Sequence, residues 1–343
     1  GCRARPLRRI KQIPAEAGAG DGVGSFTGCS RGFIHRKEQD MRDAPRGEPG
    51  LNAGFHDDPL VRNHMRTMGE RLSLTVLGCH ITVWCLDAAT RALLVANYGR
   101  LQGNLETPDL WYTVGKHPGS GAFFIAREGH PPLFPSDEGE FLFLFEKDLT
   151  IELQKLRRDF YFIHSAVLEF GGRALMLVGT SGSGKSTTTW ALLHHGFGYL
   201  SDELGPLDLE TLEVYPYPHA LSLKNEPPKA YPLPAKTLFT SRALYIPVEH
   251  LAARIAPAPA VLAAIFCVQH RPEAAAPQVR SISKAEAGAR LFASTLNPLA
   301  HPGDGLDGAI EIAMRTPCFE LITADLPETC AQVEATMKGL LGD

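Results

Sequence analysis

The chain contains the run Gly179-Thr180-Ser181-Gly182-Ser183-Gly184-Lys185-Ser186, which fits the phosphate-binding pattern G-x-x-x-x-G-K-[ST] at every specified position. Before it, residues 174–178 (ALMLV) form a short apolar stretch that is typical of a buried strand. After it, residues 187–195 (TTTWALLHH) predict a helix, and Gly196 is placed to end it. A strand, a glycine-rich turn and a helix N-terminus form a cradle whose backbone N–H groups bind an anion.

The ligand predicted for this cradle is the phosphate tail of a nucleotide. Lys185 is expected to reach the outer phosphates, and the Ser186 hydroxyl is expected to bind a magnesium ion. The residues predicted to contact the nucleotide are Gly179, Thr180, Ser181, Gly182, Ser183, Gly184, Lys185, Ser186 and Thr187. The loop alone does not determine which reaction follows, because the same cradle serves many chemistries.

Two adjacent carboxylates follow the next predicted strand. Asp202 and Glu203 come after residues 198–201 (GYLS), seventeen and eighteen positions beyond Lys185. A return strand would bring both acids beside the loop, where a magnesium-bound phosphate needs an acidic partner and an acceptor hydroxyl needs a base. We therefore predict that Ser186, Asp202 and Glu203 hold the metal and that Asp202, with Lys185, acts in catalysis. The alternative is a solvated acidic turn.

A hairpin is predicted immediately upstream of the loop. Residues 163–173 (IHSAVLEFGGR) read as a strand and a Gly-Gly turn that lead into the strand before the loop. His164, at the far end of the first strand, would then lie alongside the loop. It is a candidate to assist proton transfer; a structural histidine bonded to the backbone is the equal alternative.

The stretch from His164 to Glu203 resembles the catalytic domain of the HPr kinase/phosphorylase family, which is similar in this region to phosphoenolpyruvate carboxykinases. His164 stands fifteen residues before Gly179, as in that family's pattern, and Asp202 matches its first acid. Ser165 stands where the family usually has glycine, and Glu203 where it has a second aspartate. The other matching positions are Ser181, Gly182, Gly184, Lys185, Ser186 and Gly196.

The resemblance implies an α/β fold, with a P-loop kinase core of HPr-kinase/PEP-carboxykinase type and a smaller, mostly β N-terminal domain. It also implies ATP and Mg²⁺ as cofactors, a protein or peptide acceptor phosphorylated on serine, and a homo-oligomer. The closer similarity is to divergent HPr-kinase-like proteins. A small-molecule kinase and a non-catalytic ATP-binding regulatory protein remain as alternatives, and the reverse, phosphorylase reaction is left open.

Composition and charge limit the partners, metal sites and cellular compartment expected for the chain. The 343 residues carry a net charge of −4, with no basic stripe that would favour nucleic acid. No apolar stretch approaches the length of a bilayer span. The seven scattered cysteines include no C-x-x-C pair, which argues against a disulfide framework or a zinc site and favours a cytoplasmic protein.

Three regions are expected along the chain. Residues 1–68, rich in Gly, Arg, Asp and Pro, are predicted to be a disordered extension, with the natural start at Met41, Met65 or Met68. Residues 69–148 are predicted to form a β-rich accessory domain, and residues 149–343 the catalytic domain. The strands predicted in the accessory domain are 80–86, 93–96, 110–114 and 141–145.

The catalytic domain is predicted to alternate strands and helices, as in a layered α/β core. A lysine at position 224 could close over phosphate, or could equally be a solvated surface residue. The predicted strands are 242–248, 263–268 and 318–322, and the predicted helices are 149–157, 284–296 and 327–341.

Overall fold

Three β-sheets with helices packed against them make up the part of the chain that the structure describes, a mixed α/β architecture. The structure is a computed structural model, and its described residues are 60–61, 63, 69–104, 106–271 and 273–342. All of them belong to one compact unit, residues 47–343. Apart from residues 60, 61 and 63, the predicted extension over residues 1–68 lies outside the described residues.

The first sheet has four strands in the order β1-β2-β3-β4, with a parallel pairing between β2 and β3 and antiparallel pairings elsewhere. Two helices, α1 and α2, pack on it and bury aromatic side chains in a shared core. The elements are β1 (Glu70–Val76), β2 (Cys79–Cys85), α1 (Ala88–Tyr98), β3 (Leu110–Lys116), β4 (Phe123–Arg127) and α2 (Glu138–Leu156).

Two strands predicted in this region are wrong, because both segments are helical. Residues 93–96 lie in α1, which begins where the Asp87 side chain accepts a hydrogen bond from the Thr90 N–H. Residues 141–145 lie in α2, which Asp137 caps in the same way. The buried residues Phe141, Phe145, Leu149 and Leu153 recur every four positions, the helical period that the short aromatic run concealed.

Helix α2 also crosses residue 148, where the sequence placed the boundary between the accessory and catalytic domains. One hydrophobic cluster joins the two sides of that position, since Phe145 shares it with Phe162 and Tyr217. The division into domains remains a prediction.

The second sheet has nine strands, and it carries the glycine-rich loop. Three neighbouring strands, β7, β14 and β16, run parallel, while β6 pairs antiparallel with both β7 and β8. Its strands are β5 (Tyr161–Ile163), β6 (Ser165–Phe170), β7 (Arg173–Val178), β8 (Gly198–Ser201), β9 (Gly205–Leu207), β10 (Glu213–Val214), β14 (Ala260–His270), β15 (Gln278–Ser281) and β16 (Cys318–Thr323).

A small third sheet and four more helices complete the described fold. The sequence anticipated the positions of α3, α4 and α6, but not that of α5. The remaining elements are β11 (Leu221–Leu223), β12 (Leu238–Phe239), β13 (Leu244–Ile246), α3 (Lys185–His194), α4 (Lys284–Ala293), α5 (Leu306–Arg315) and α6 (Leu326–Leu341). No helix in the described ranges is long and apolar enough to cross a membrane.

Strand direction brings distant segments to one edge of the nine-stranded sheet. β7 ends at Val178, directly opposite Ser165 at the start of the antiparallel β6. β8 runs antiparallel to β6 and ends at Ser201, opposite Val167. The residues that follow β7, precede β6 and follow β8 therefore meet at this edge.

Candidate active site

The glycine-rich loop connects β7 to α3, and two of its positions require glycine for different reasons. Gly184 caps α3 with φ 93°, a left-handed value that a side chain would disfavour. At Gly179 the limit is space, because an added Cβ would lie 2.7 Å from Ser183 Oγ and 2.8 Å from the Val268 carbonyl oxygen. A helix capped by glycine leaves its first N–H groups to solvent or to an anion.

Lys185, the first residue of α3, folds back along the loop. Its side chain is buried, and Nζ donates to the carbonyl oxygens of Gly179 at 2.7 Å and Thr180 at 3.5 Å. The ammonium group is thus held inside the curve of the loop, where it would meet the oxygens of a bound phosphate.

Lys224 approaches the same loop from outside. It follows strand β11, and its exposed side chain donates from Nζ to Ser181 Oγ at 2.5 Å. The contact places the Lys224 ammonium group beside the loop. Its role toward a bound phosphate stays a prediction.

Asp202 lies fully buried just beyond the end of β8. Ser186 Oγ donates to its Oδ2 at 3.3 Å, whereas its Oδ1 is buried and has no hydrogen-bond partner among the described residues. Burial and the neighbouring charge of Glu203 raise the pKa of Asp202, against the lowering effects of His219 and Lys185. A buried carboxylate oxygen without a partner is costly, and it has one coordination position open for a ligand.

Glu203 points to a different partner. Its Oε2 lies 2.7 Å from His164 Nε2, and the Glu203 side chain is 42% exposed. Desolvation acts to raise the pKa of Glu203, but the hydrogen bond and charge of His164, together with Lys185 and His219, lower it overall. The two adjacent acids therefore have opposite pKa shifts, which places carboxyl groups of different proton affinity side by side.

The turn that separates these two carboxylates is strained. Glu203 has φ 65°, and the turn is closed by the Leu204 N–H, which donates to the Asp202 carbonyl oxygen at 2.8 Å. A non-glycine residue in such a conformation costs on the order of 1–3 kcal/mol, and residues of this kind cluster at functional sites. From adjacent positions in this turn, Asp202 contacts Ser186 and Glu203 contacts His164.

Ser165 stands next to His164, at a position where the family that the sequence resembles usually has glycine. Its hydroxyl is buried and lies 3.3 Å from the Ile163 carbonyl oxygen. Across from it is Gly205, where an added Cβ would lie only 2.3 Å from Ser165 Oγ. Gly205 lies on β9, opposite Ile163 of β5, and its lack of a side chain leaves room for the serine hydroxyl.

The donor set fits a small, hard cation. Ser186 Oγ and the Asp202 carboxylate supply oxygen atoms, the ligand type that Mg²⁺ takes, and the buried Oδ1 of Asp202 is a position such an ion could satisfy. Glu203, which the sequence placed in the same ligand set, contacts His164 through Oε2, and its place in that set stays a prediction. Mg²⁺ is usually held by one or two carboxylates together with substrate phosphates.

Sequence reasoning missed two residues at this site. His219 and Glu146 lie beneath the Asp202–Glu203 turn, with His219 Nε2 at 2.8 Å from the Asp202 carbonyl oxygen. They come from a proline-rich segment and from a helix misread as a strand, and no local pattern marks either of them.

Comparison with known proteins adds little to this geometry. No protein-family model matches the chain, and no curated protein matches it. Among solved structures, the HPr(Ser) kinase/phosphatase from Coxiella burnetii matches with 12% identity and a TM-score of 0.26, covering 52% of this chain and 93% of that one. A TM-score this low does not establish a common fold.

Proposed function

We propose that this chain is an ATP-dependent kinase that transfers the γ-phosphate to a hydroxyl group, a serine of a protein or peptide. One observation carries the proposal: a glycine-rich loop with a buried lysine faces a fully buried, incompletely bonded aspartate and a His–Glu pair at a single sheet edge. The sequence resemblance of residues 164–203 to HPr kinase/phosphorylase supports the same reaction.

In the proposed complex, the loop amides and Lys185 bind the β- and γ-phosphates of ATP, with Lys224 closing from the other side. Ser186 and one of the two adjacent acids, Asp202 or Glu203, would hold Mg²⁺, which when bound neutralises charge on the phosphate oxygens. Lys185 stabilises charge that develops on the transferred group.

The transfer step forms a bond between the acceptor oxygen and the γ-phosphorus, and it breaks the bond from that phosphorus to the β–γ bridging oxygen. ADP leaves, and the acceptor proton moves to the Asp202 carboxylate. His164 remains in place beside the acceptor through its contact with Glu203.

The experiment is incubation of the purified chain with γ-labelled ATP, Mg²⁺ and a heat-treated cell extract, whose own kinases are inactive. Label recovered as phosphoserine in protein or peptide, and absent with the Lys185→Ala variant, is the expected result. Label only in a metabolite would contradict the protein acceptor, and ATP that is bound but never transferred would contradict the kinase.

A further inference from the structure

A buried histidine supports the turn that carries both acids. His219 is 1% exposed, and its Nε2 lies 2.8 Å from the carbonyl oxygen of Asp202 and 3.3 Å from Oε1 of Glu146. The Asp202 carbonyl oxygen therefore has two contacts, one from the Leu204 N–H within the turn and one from the imidazole outside it.

Two hydrogen bonds fix the backbone at His219, and an aromatic ring packs on its imidazole. The His219 N–H donates to the Tyr217 carbonyl oxygen at 2.9 Å, and the His219 carbonyl oxygen accepts from Tyr199 Oη at 3.0 Å. The rings of Tyr217 and His219 lie 4.6 Å apart, centroid to centroid. A buried imidazole that packs against a ring and hydrogen-bonds through Nε2 has few alternative rotamers, so it can hold the Asp202 carbonyl oxygen in one place.

Glu146 joins this support to the four-stranded sheet. It lies on α2 one residue after Phe145, which is buried between Tyr98 and Tyr112 in the core of that sheet. Oε1 of Glu146 lies 3.3 Å from His219 Nε2 without a hydrogen bond, and the same nitrogen lies 2.8 Å from the Asp202 carbonyl oxygen.

We propose that His219, with Glu146 packed against its imidazole, is a positioning residue that fixes the strained Asp202–Glu203 turn in the geometry needed for phosphoryl transfer. This inference rests on the proposed function of the same site. It assigns a role in the site to the region that precedes residue 149, which the loop motif by itself does not include.

The test compares His219→Leu, which removes the contact, with His219→Gln, whose amide can still donate to the Asp202 carbonyl oxygen. The measurements are Mg-ATP hydrolysis, with water as acceptor, and ATP affinity by calorimetry. His219→Leu is expected to lower kcat on the order of 10- to 100-fold while the Kd for ATP changes by less than about threefold. His219→Gln is expected to recover most of the lost kcat.

Val83→Ala is the control for general destabilisation, because it opens a cavity at a fully buried position of the four-stranded sheet. It is expected to lower the Tm and leave kcat unchanged below the unfolding transition. If His219→Leu does not fold, Glu146→Leu tests the same support from its other end, with the same expected loss of kcat and unchanged ATP affinity.

The outcomes separate this inference from the proposed function. A variant without the His219 contact that keeps wild-type kcat would overturn the inference alone, as would a loss of kcat that His219→Gln does not recover. A wild-type chain that neither binds nor hydrolyses ATP would overturn the proposed function, and the positioning role with it.

Discussion

Two groups of buried charged side chains, one beside the four-stranded sheet and one at the edge of the nine-stranded sheet, complete their bonding differently. Next to the first sheet, Arg127 is 11% exposed and pairs with Asp148 at 2.7 Å and Glu152 at 3.1 Å, while Tyr112 Oη donates to Asp148. At the edge of the second, Asp202 is fully buried with one oxygen lacking a partner in the described residues. A completed network stabilises the fold, whereas an incomplete one at a strand end points to a ligand.

Substitutions in the two regions are expected to affect different properties of the protein. Changes in the four-stranded region are expected to lower stability first, and changes at the loop edge to lower nucleotide chemistry first. This assignment would be wrong if a change in the four-stranded region lowered nucleotide chemistry first, or if a change at the loop edge lowered stability first.

The largest effect is expected for Lys185→Ala. Loss of the ammonium group from the loop should lower phosphoryl transfer or Mg-ATP hydrolysis by on the order of 10³-fold, because the group neutralises charge in the transition state. The fold should persist, as judged by circular dichroism and Tm. Lys229→Ala, an exposed lysine beyond Lys224, is the matched control and should be neutral. Wild-type turnover in Lys185→Ala would contradict this use of the loop.

Phe145→Ala should act on stability instead. The ring is fully buried against Tyr98 and Tyr112, so its loss should lower the free energy of unfolding by about 3–5 kcal/mol. Phe143→Ala, on the same helix but 39% exposed, should cost about 1 kcal/mol or less. Urea unfolding of both variants measures the difference. Equal costs would mean that α2 does not bury the face described above.

Asp202→Asn should spare ATP binding and lower transfer by on the order of 10²-fold, because the amide cannot accept the proton. Calorimetry and labelled transfer distinguish the two effects, and Asp208→Asn beyond β9 is the control. Transfer at the normal rate would exclude Asp202 as the base.

Asp202→Asn is also the reference against which the pH dependence of wild-type stability is measured. Burial raises the pKa of Asp202 to about 7 from the usual 3.8, so the folded chain retains a proton that the unfolded chain loses at lower pH. The free energy of unfolding of the wild type, minus that of Asp202→Asn, should therefore be largest below about pH 4 and should fall as pH rises toward 7. Unfolding of both variants in EDTA across this pH range measures the difference. If the difference rose with pH, the pKa of Asp202 would not be raised in the folded chain.

The smallest effect is expected for Lys224→Met. Its exposed side chain contacts the loop only at Ser181, so its loss should weaken ATP binding by about tenfold and leave the Tm unchanged. Lys236→Met, in the same connecting segment, provides the control. Unchanged ATP affinity would show Lys224 to be a surface residue.

The sequence predicted the segments whose structure is set locally. The strand–loop–helix around Lys185, the Gly171-Gly172 hairpin and the strand before Asp202 all depend on short-range patterns, and the structure has them at the expected positions. The two misread helices depend on capping aspartates and on a four-residue repeat that short apolar runs conceal.

The support beneath the turn could not be predicted in the same way. Glu146 and His219 are far apart in sequence, and their contact arises only when α2 packs beside the segment that follows β10. The contact of Glu203 with His164 likewise joins residues far apart in sequence, and Glu203 has a left-handed backbone there. Neither the backbone angle nor the long-range contact leaves a local signature.

The most direct test of the account is calorimetric titration of the full chain with Mg-ATP and, separately, with adenosine. If main-chain amides and Lys185 grip the phosphate tail, ATP should bind with a Kd in the micromolar to millimolar range and adenosine should show no measurable binding. Lys185→Ala should lose most of the ATP affinity. Equal binding of adenosine and ATP, or no binding of ATP by folded protein, would contradict the central claim.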